Sequence, residues 1–201
     1  AEIAFDDERF RAEGSNLTPT MLEVAEMARD KGRYDLLTHQ ARATLEARSF
    51  PNGVHICEVV IDPETGIVTT DRYTVVDDFG NLINPLLAEG QVHGGVVQGI
   101  GQAVQERVVY DEDGQLLTAS FMDYAMPRAN DVPFISFTSE PVPSTANIMG
   151  MKGCGEAGTV GALAAVSNAV QDALWEHGVR QADMPFTPHK VWELLQGEAI
   201  A

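Results

Sequence analysis

The chain has 201 residues, 44% of them hydrophobic and 21% charged. This composition excludes wholesale disorder and is enough for one sizeable core or two small ones. With 30 acidic residues against 13 basic ones the net charge is −17, which argues against a nucleic-acid or anionic-membrane surface as the main partner, since either needs clustered Lys and Arg.

In chain order, residues 2–12, EIAFDDERFRA, alternate apolar and polar around an acidic turn and predict two short strands. A helix is predicted from about Thr18 to Asp30, with Thr18 and Thr20 as caps, Pro19 in the first turn, and Leu22, Val24, Ala25, Met27 and Ala28 on apolar faces. Residues 31–50 show no clean period and read as a surface connection with some helix. GVHICEVVID, PETG and IVTTDRYTVVDD then spell a β-hairpin across a Pro/Gly turn, closed by the turn pair Asn84-Pro85. LLAEGQVHGGVVQGIGQAVQE, residues 86–106, has helical apolar spacing, and its internal glycines imply tight packing against a neighbour. A second hairpin is predicted over RVVYDEDGQLLTASFMDY, turning at Asp113-Gly114, and another strand over VPFISFTSEPV. TVGALAAVSNAVQDALWEH is a helix with a broad small-residue face, and a short final helix begins after Thr187-Pro188. The expected fold class is α+β, with mixed and antiparallel sheets and packed helices. We read one domain over 1–201, with 1–50 a candidate subdomain and 51–201 the part that carries the site.

Familiar site signatures fail on spacing. Lys152 precedes most of its glycines and is followed by Gly153, so there is no phosphate loop. The acidic turns at 77–78 and 111–114 do not continue into a calcium loop, and Asp and Gly suit turns in any case. No HExxH, GxSxG or CxxC occurs, and Cys57 and Cys154 stand far apart, which predicts neither a metal-ligating residue set nor a disulfide framework. No apolar stretch approaches the roughly 18 residues that span a bilayer, and the first residues carry no secretory signal. A cytoplasmic protein without membrane contact is the expectation. His93 reads as a satisfied structural residue.

The stretch MGMKGCGEAGTVG, residues 149–161, is different: its glycines surround Glu156 just ahead of a helix. Composition alone reads Glu156 as a surface glutamate in a flexible loop. Three features favour a candidate general base instead. The loop is anchored on both sides, Gly153, Gly155 and Gly158 leave space for a large ligand, and a helix N-terminus favours the ionised carboxylate. The residues by themselves show no second catalytic group.

MKGCGEAGTVGALAAVSNAVQDAL closely resembles the C-terminal segment of the molybdenum hydroxylases, the xanthine oxidase, aldehyde oxidoreductase and carbon monoxide dehydrogenase family. The likeness continues upstream through VDDFGNLINPLLAEGQVHGG to FMDYAMP, ends in MPFTPHKVWELLQ, and weakly includes AFDDERFRAEGS. The resemblance implies that Glu156 is the base that deprotonates the molybdenum-bound hydroxide, that Gln91 hydrogen-bonds the pterin, and that the backbone of Lys152, Gly153, Cys154 and Gly155 lies near the cofactor. It further implies molybdopterin cytosine dinucleotide as cofactor, 2Fe-2S and FAD on partner subunits, and an N-terminal half of the molybdopterin subunit that builds the rest of the pocket. The reaction implied is oxidation of an aldehyde or N-heterocycle carbon with oxygen derived from water. The alternative is a non-catalytic scaffold or assembly chain of the same fold; a cofactor-free carboxylate hydrolase ranks last, because no partner acid is visible.

Overall fold

A computed structural model describes residues 2–45 and 47–197. It divides into two units, Ala1–Thr44 and Leu45–Ala201.

In the first unit, β1 (Ile3–Asp6) and β2 (Arg9–Ala12) pair antiparallel. The turn places Asp7 and Glu8 at φ 48° and 58°, the left-handed pair a tight hairpin requires. Phe5 and Phe10 sit directly opposite, their rings 4.7 Å apart. Helix α1 (Met21–Asp30) begins later than the sequence predicts. Thr20 is its N-cap and forms a reciprocal capping box with Glu23. Pro19 stays in extended chain, its carbonyl accepting the Phe10 N–H at 2.9 Å. A single 3-10 turn follows at Tyr34–Leu37.

In the second unit, β3 (Asn52–Ile61) and β4 (Val68–Asp78) form the predicted hairpin, with a bulge at Glu58/Val59. The strand β5 (Ile135–Ser139) joins β4 in parallel, giving a mixed sheet in the order β3–β4–β5. Asn84 and Pro85 do more than close a strand. Asn84 caps helix α2 (Pro85–Val104), accepting the Leu87 N–H at 3.2 Å, and Pro85 takes the first helical position. Helices α3 (Ala157–Trp175) and α4 (Pro188–Gln196) complete the unit. Antiparallel pairing, one parallel strand and packed helices make the α+β architecture expected.

The core lies between one face of the sheet and the α2–α3 pair. Tyr73, Val75 and Ile135 come from the sheet, Val92, Val96 and Ile100 from α2, and Ala162, Val166, Val170 and Leu174, four residues apart, from α3. The α2 glycines are explained by the helix crossing. A Cβ on Gly95 would stand 2.9 Å from the Thr159 nitrogen, and one on Gly99 2.5 Å from the Ala162 Cβ. Thr159 locks the crossing by donating to the Gly95 carbonyl at 3.0 Å.

The hairpin predicted over residues 107–124 does not form as a ladder. The turn is where expected, with Gly114 at φ 79°, but only the Tyr110–Leu116 bridge pairs around it. Val108, Tyr110 and Leu117 remain exposed, and two strands with no buried face do not hold a ladder in water. Among the described residues no helix is long and apolar enough to cross a membrane.

Candidate active site

The glycine loop is stitched to the end of β4. Lys152 N–H donates to the Phe79 carbonyl at 2.8 Å and Asn81 N–H to the Gly150 carbonyl at 3.0 Å. Asn81 Nδ2 adds a bond to the Met149 carbonyl at 2.9 Å. So close an approach needs residues without side chains: Gly80 (φ 61°) and Gly150 (φ 65°) are both left-handed, and a Cβ on Gly80 would lie 2.1 Å from the Gly150 oxygen.

Lys152 turns inward and pairs with Asp78, the two side chains being 10% and 13% exposed. Asp78 Oδ1 also accepts the N–H groups of Gly80 and Val142, each at 2.9 Å. Burial pushes the Asp78 carboxyl up, but these hydrogen bonds and the Lys152 charge outweigh it and bring the group down to about 2. The loop is thus anchored by an ion pair, and the Lys152 side chain does not reach the space around Glu156. Cys154 is likewise half-buried against the core.

Beyond these anchors the loop opens. Cβ atoms on Gly153 and Gly155 would meet nothing within 4 Å. Both glycines and Glu156 line a cavity of about 540 Å³, whose other wall is Arg48, Ser49, Phe50 and Pro51. Glu156 is the N-cap of α3 yet makes no capping bond with its side chain, which is exposed. The first intrahelical bond of α3 runs from Val160 N–H to the Glu156 carbonyl at 3.0 Å, so the N–H groups of the first turn stay available and favour negative charge nearby. An ionisable carboxylate free of its helix and beside an open cavity can hold or accept a proton.

Gln91 is exposed on α2, one turn before Gly95, and Gly95 packs on Gly158, two residues beyond Glu156. Gln91 and Glu156 therefore flank the same helix crossing, although Gln91 does not line the cavity. Phe121 and residues 124–127 of FMDYAMP line a different cavity, of about 380 Å³, with Tyr124 hydrogen-bonded to Glu106. His93 differs from expectation. Its Nε2 is buried without a hydrogen-bond partner among the described residues, and Glu89 Oε1 is 3.8 Å away.

Sequence reasoning missed three things: the Arg48–Pro51 wall, the Asp78 partner of Lys152, and a buried cluster of His55, Tyr73 and Asp77. Strand parity could have found the cluster. His55 shares the inward phase of β3 with Cys57, Val59 and Ile61, and Asp77 that of β4 with Tyr73 and Val75.

Residues 1–133 match the family model of the molybdopterin cofactor-binding domain. The chain belongs to the molybdopterin cofactor-binding family of the molybdenum hydroxylases. Two relatives come from Paenarthrobacter nicotinovorans. The gamma subunit of the 6-hydroxypseudooxynicotine dehydrogenase complex is 37% identical over 195 residues, 94% of this chain and 24% of that protein. The large subunit of nicotine 6-hydroxylase is 43% identical over 148 residues, 74% of this chain and 18% of that protein. Reconstituted CO dehydrogenase from Oligotropha carboxidovorans superposes with a TM-score of 0.86 at 32% identity, covering 97% of this chain and 25% of that one. The chain therefore spans about a quarter or less of the length of these relatives. Among its described residues no three His, Cys, Asp or Glu side chains converge as a metal-ligand cluster.

Proposed function

We propose that this chain forms one wall of the cofactor pocket of a molybdenum-dependent hydroxylase, with Glu156 as its general base. The observation that carries this reading is a helix N-cap carboxylate that makes no capping bond and lines a cavity of about 540 Å³ together with two glycines whose missing side chains leave open space. The residues present fit the family's cofactor. A flat pterin requires backbone to come close, which positions without Cβ permit, and its anionic groups suit the first turn of α3. The backbone of Lys152, Gly153, Cys154 and Gly155 would hold the cofactor, and the Gln91 amide would hydrogen-bond its pterin. We assign the cytosine dinucleotide form. When bound, the cofactor supplies two-electron redox chemistry at the substrate carbon.

The chain's own contribution is a positioned proton acceptor. Ionised Glu156 accepts a proton at a carboxylate oxygen from the water-derived nucleophile as that oxygen approaches an aldehyde or N-heterocycle carbon. The clamp between Lys152 and Asp78 holds the loop that aims Glu156. The relative named for nicotine hydroxylation favours the heterocycle arm. Because the chain spans 24% of its gamma-subunit relative, we assign the other pocket walls to the N-terminal half of the molybdopterin subunit. The electrons pass to 2Fe-2S and FAD subunits.

The test is Glu156→Gln in the assembled enzyme. Molybdenum content should be unchanged while kcat falls by about 10²–10⁴, the usual worth of a positioned base. Near-normal turnover would remove Glu156 from the reaction. A native complex without molybdenum would instead favour the scaffold reading.

A further inference from the structure

The inner face of the sheet carries a buried polar chain that the function above leaves unused. The side chains of His55 and Asp77 are 6% and 2% exposed, and Tyr73 is fully buried. The register brings them together: Cys57 pairs with Tyr73 and Gly53 with Asp77, so His55 lies diagonally between the two β4 residues. Tyr73 Oη is 2.9 Å from His55 Nδ1, and His55 Nε2 is 3.6 Å from Asp77 Oδ1. Burial first, then the nearby Cys57 and Asp77, push the Tyr73 phenol well above its ordinary range. Its O–H is therefore retained, and Tyr73 Oη and His55 Nδ1 share one hydrogen bond whose direction the imidazole tautomer sets. The other Asp77 oxygen, Oδ2, is buried with no partner among the described residues.

Two glycines make room for this chain. A Cβ on Gly53 would lie 1.8 Å from Asp77 Oδ1, and one on Gly161 would lie 2.5 Å from three atoms of the His55 ring. Gly161 belongs to α3, five residues beyond Glu156, while Gly53 follows two residues after Pro51 of the cavity wall. The neighbours of Asp77 hold the glycine loop, Asp78 through the Lys152 ammonium and Phe79 through the Lys152 N–H. The segment from Lys152 to Gly161 is thus clamped at one end and rests on the imidazole at the other.

We infer that His55 is a positioning residue for Glu156, held beneath α3 by its buried neighbours Tyr73 and Asp77. The inference rests on the reading of Glu156 given above. A buried ring, hydrogen-bonded to Tyr73 and packed beneath Gly161, is a spacer between β3 and α3, so α3 cannot settle and carry its N-cap away from the cavity.

The experiment uses the assembled molybdenum enzyme. His55→Ala should lower kcat by roughly tenfold or more with KM almost unchanged, keep the molybdenum, and speed amide exchange in peptides covering residues 153–165. His55→Gln, which restores a polar group between Tyr73 and Asp77, should recover most of that loss. Wild-type kcat and exchange in His55→Ala overturn the inference. If His55→Ala loses its molybdenum through misfolding, His55→Gln decides: failure to recover kcat with molybdenum retained overturns the inference. Glu156→Gln separates the two readings: if it is inactive while the His55 variants are normal, only this inference fails; if it is active, the function itself falls.

Discussion

Lys152 stands four residues from the candidate base yet points away from it, into the carboxylate of Asp78. The protonation of that carboxylate sets how firmly the loop is held in acid. Its folded-state value of about 2 lies below the ordinary 3.8, so the ionised form is favoured in the folded chain. The stability gained is complete above the ordinary value and is lost as pH falls toward and through the folded one. Thermal melts should therefore show Tm dropping between about pH 4 and pH 2, with Asp78→Asn lower at neutral pH and flatter across that window; an unchanged slope in the variant would assign the acid lability elsewhere. None of this was legible locally, because Lys152 and Asp78 are 74 positions apart and no spacing rule joins them. Glu156 could be singled out because its signal is local: a carboxylate among glycines at a helix start. Asp77 and His55 fall between these cases, since each breaks the apolar phase of its own strand while their meeting depends on register.

The crossing of α2 and α3 positions the site through glycines that are not interchangeable. A Cβ on Gly158 would stand 2.5 Å from the Val92 carbonyl and 2.9 Å from the Val96 nitrogen, both backbone atoms that cannot swing aside. Gly158→Ala should destabilise by about 1–3 kcal/mol, as overpacking does, and denaturant titration of the variant checks this. Gly90, on α2, has open space around it. Gly90→Ala should be neutral or stabilising by up to about 1 kcal/mol, the propensity difference in a helix interior. If both variants behave alike, the crossing is looser than its geometry indicates. Period and caps made α3 and α4 readable through small residues and Thr187 before Pro188, whereas Asn84-Pro85, read as a turn that closes a strand, also caps α2. The hairpin over 107–124 was misread because turn chemistry reports the turn alone, whereas a ladder also needs a buried face, and Val108, Tyr110 and Leu117 have none.

Much apolar surface of the second unit faces outward. Ile148 is fully exposed, Met122 is 92% exposed, and Phe134, Phe121, Leu86 and Ile83 are largely so. Where such side chains adjoin they mark surfaces that other protein covers, and the chain spans 24% of its gamma-subunit relative. Expressed alone, the chain should bind a hydrophobic dye strongly and associate despite its net charge of −17; coexpression with the rest of a molybdopterin subunit should suppress both, and a dye-silent monomer would contradict this. The parallel seam between β4 and β5 adds a consequence in time. The β3–β4 hairpin closes early around a short turn, but β5 can find its register only after everything from Phe79 to Phe134 has been synthesised and threaded back. The glycine loop follows β5 in the chain, so the ribosome delivers the candidate base after every strand of its platform, and the carboxylate is armed last.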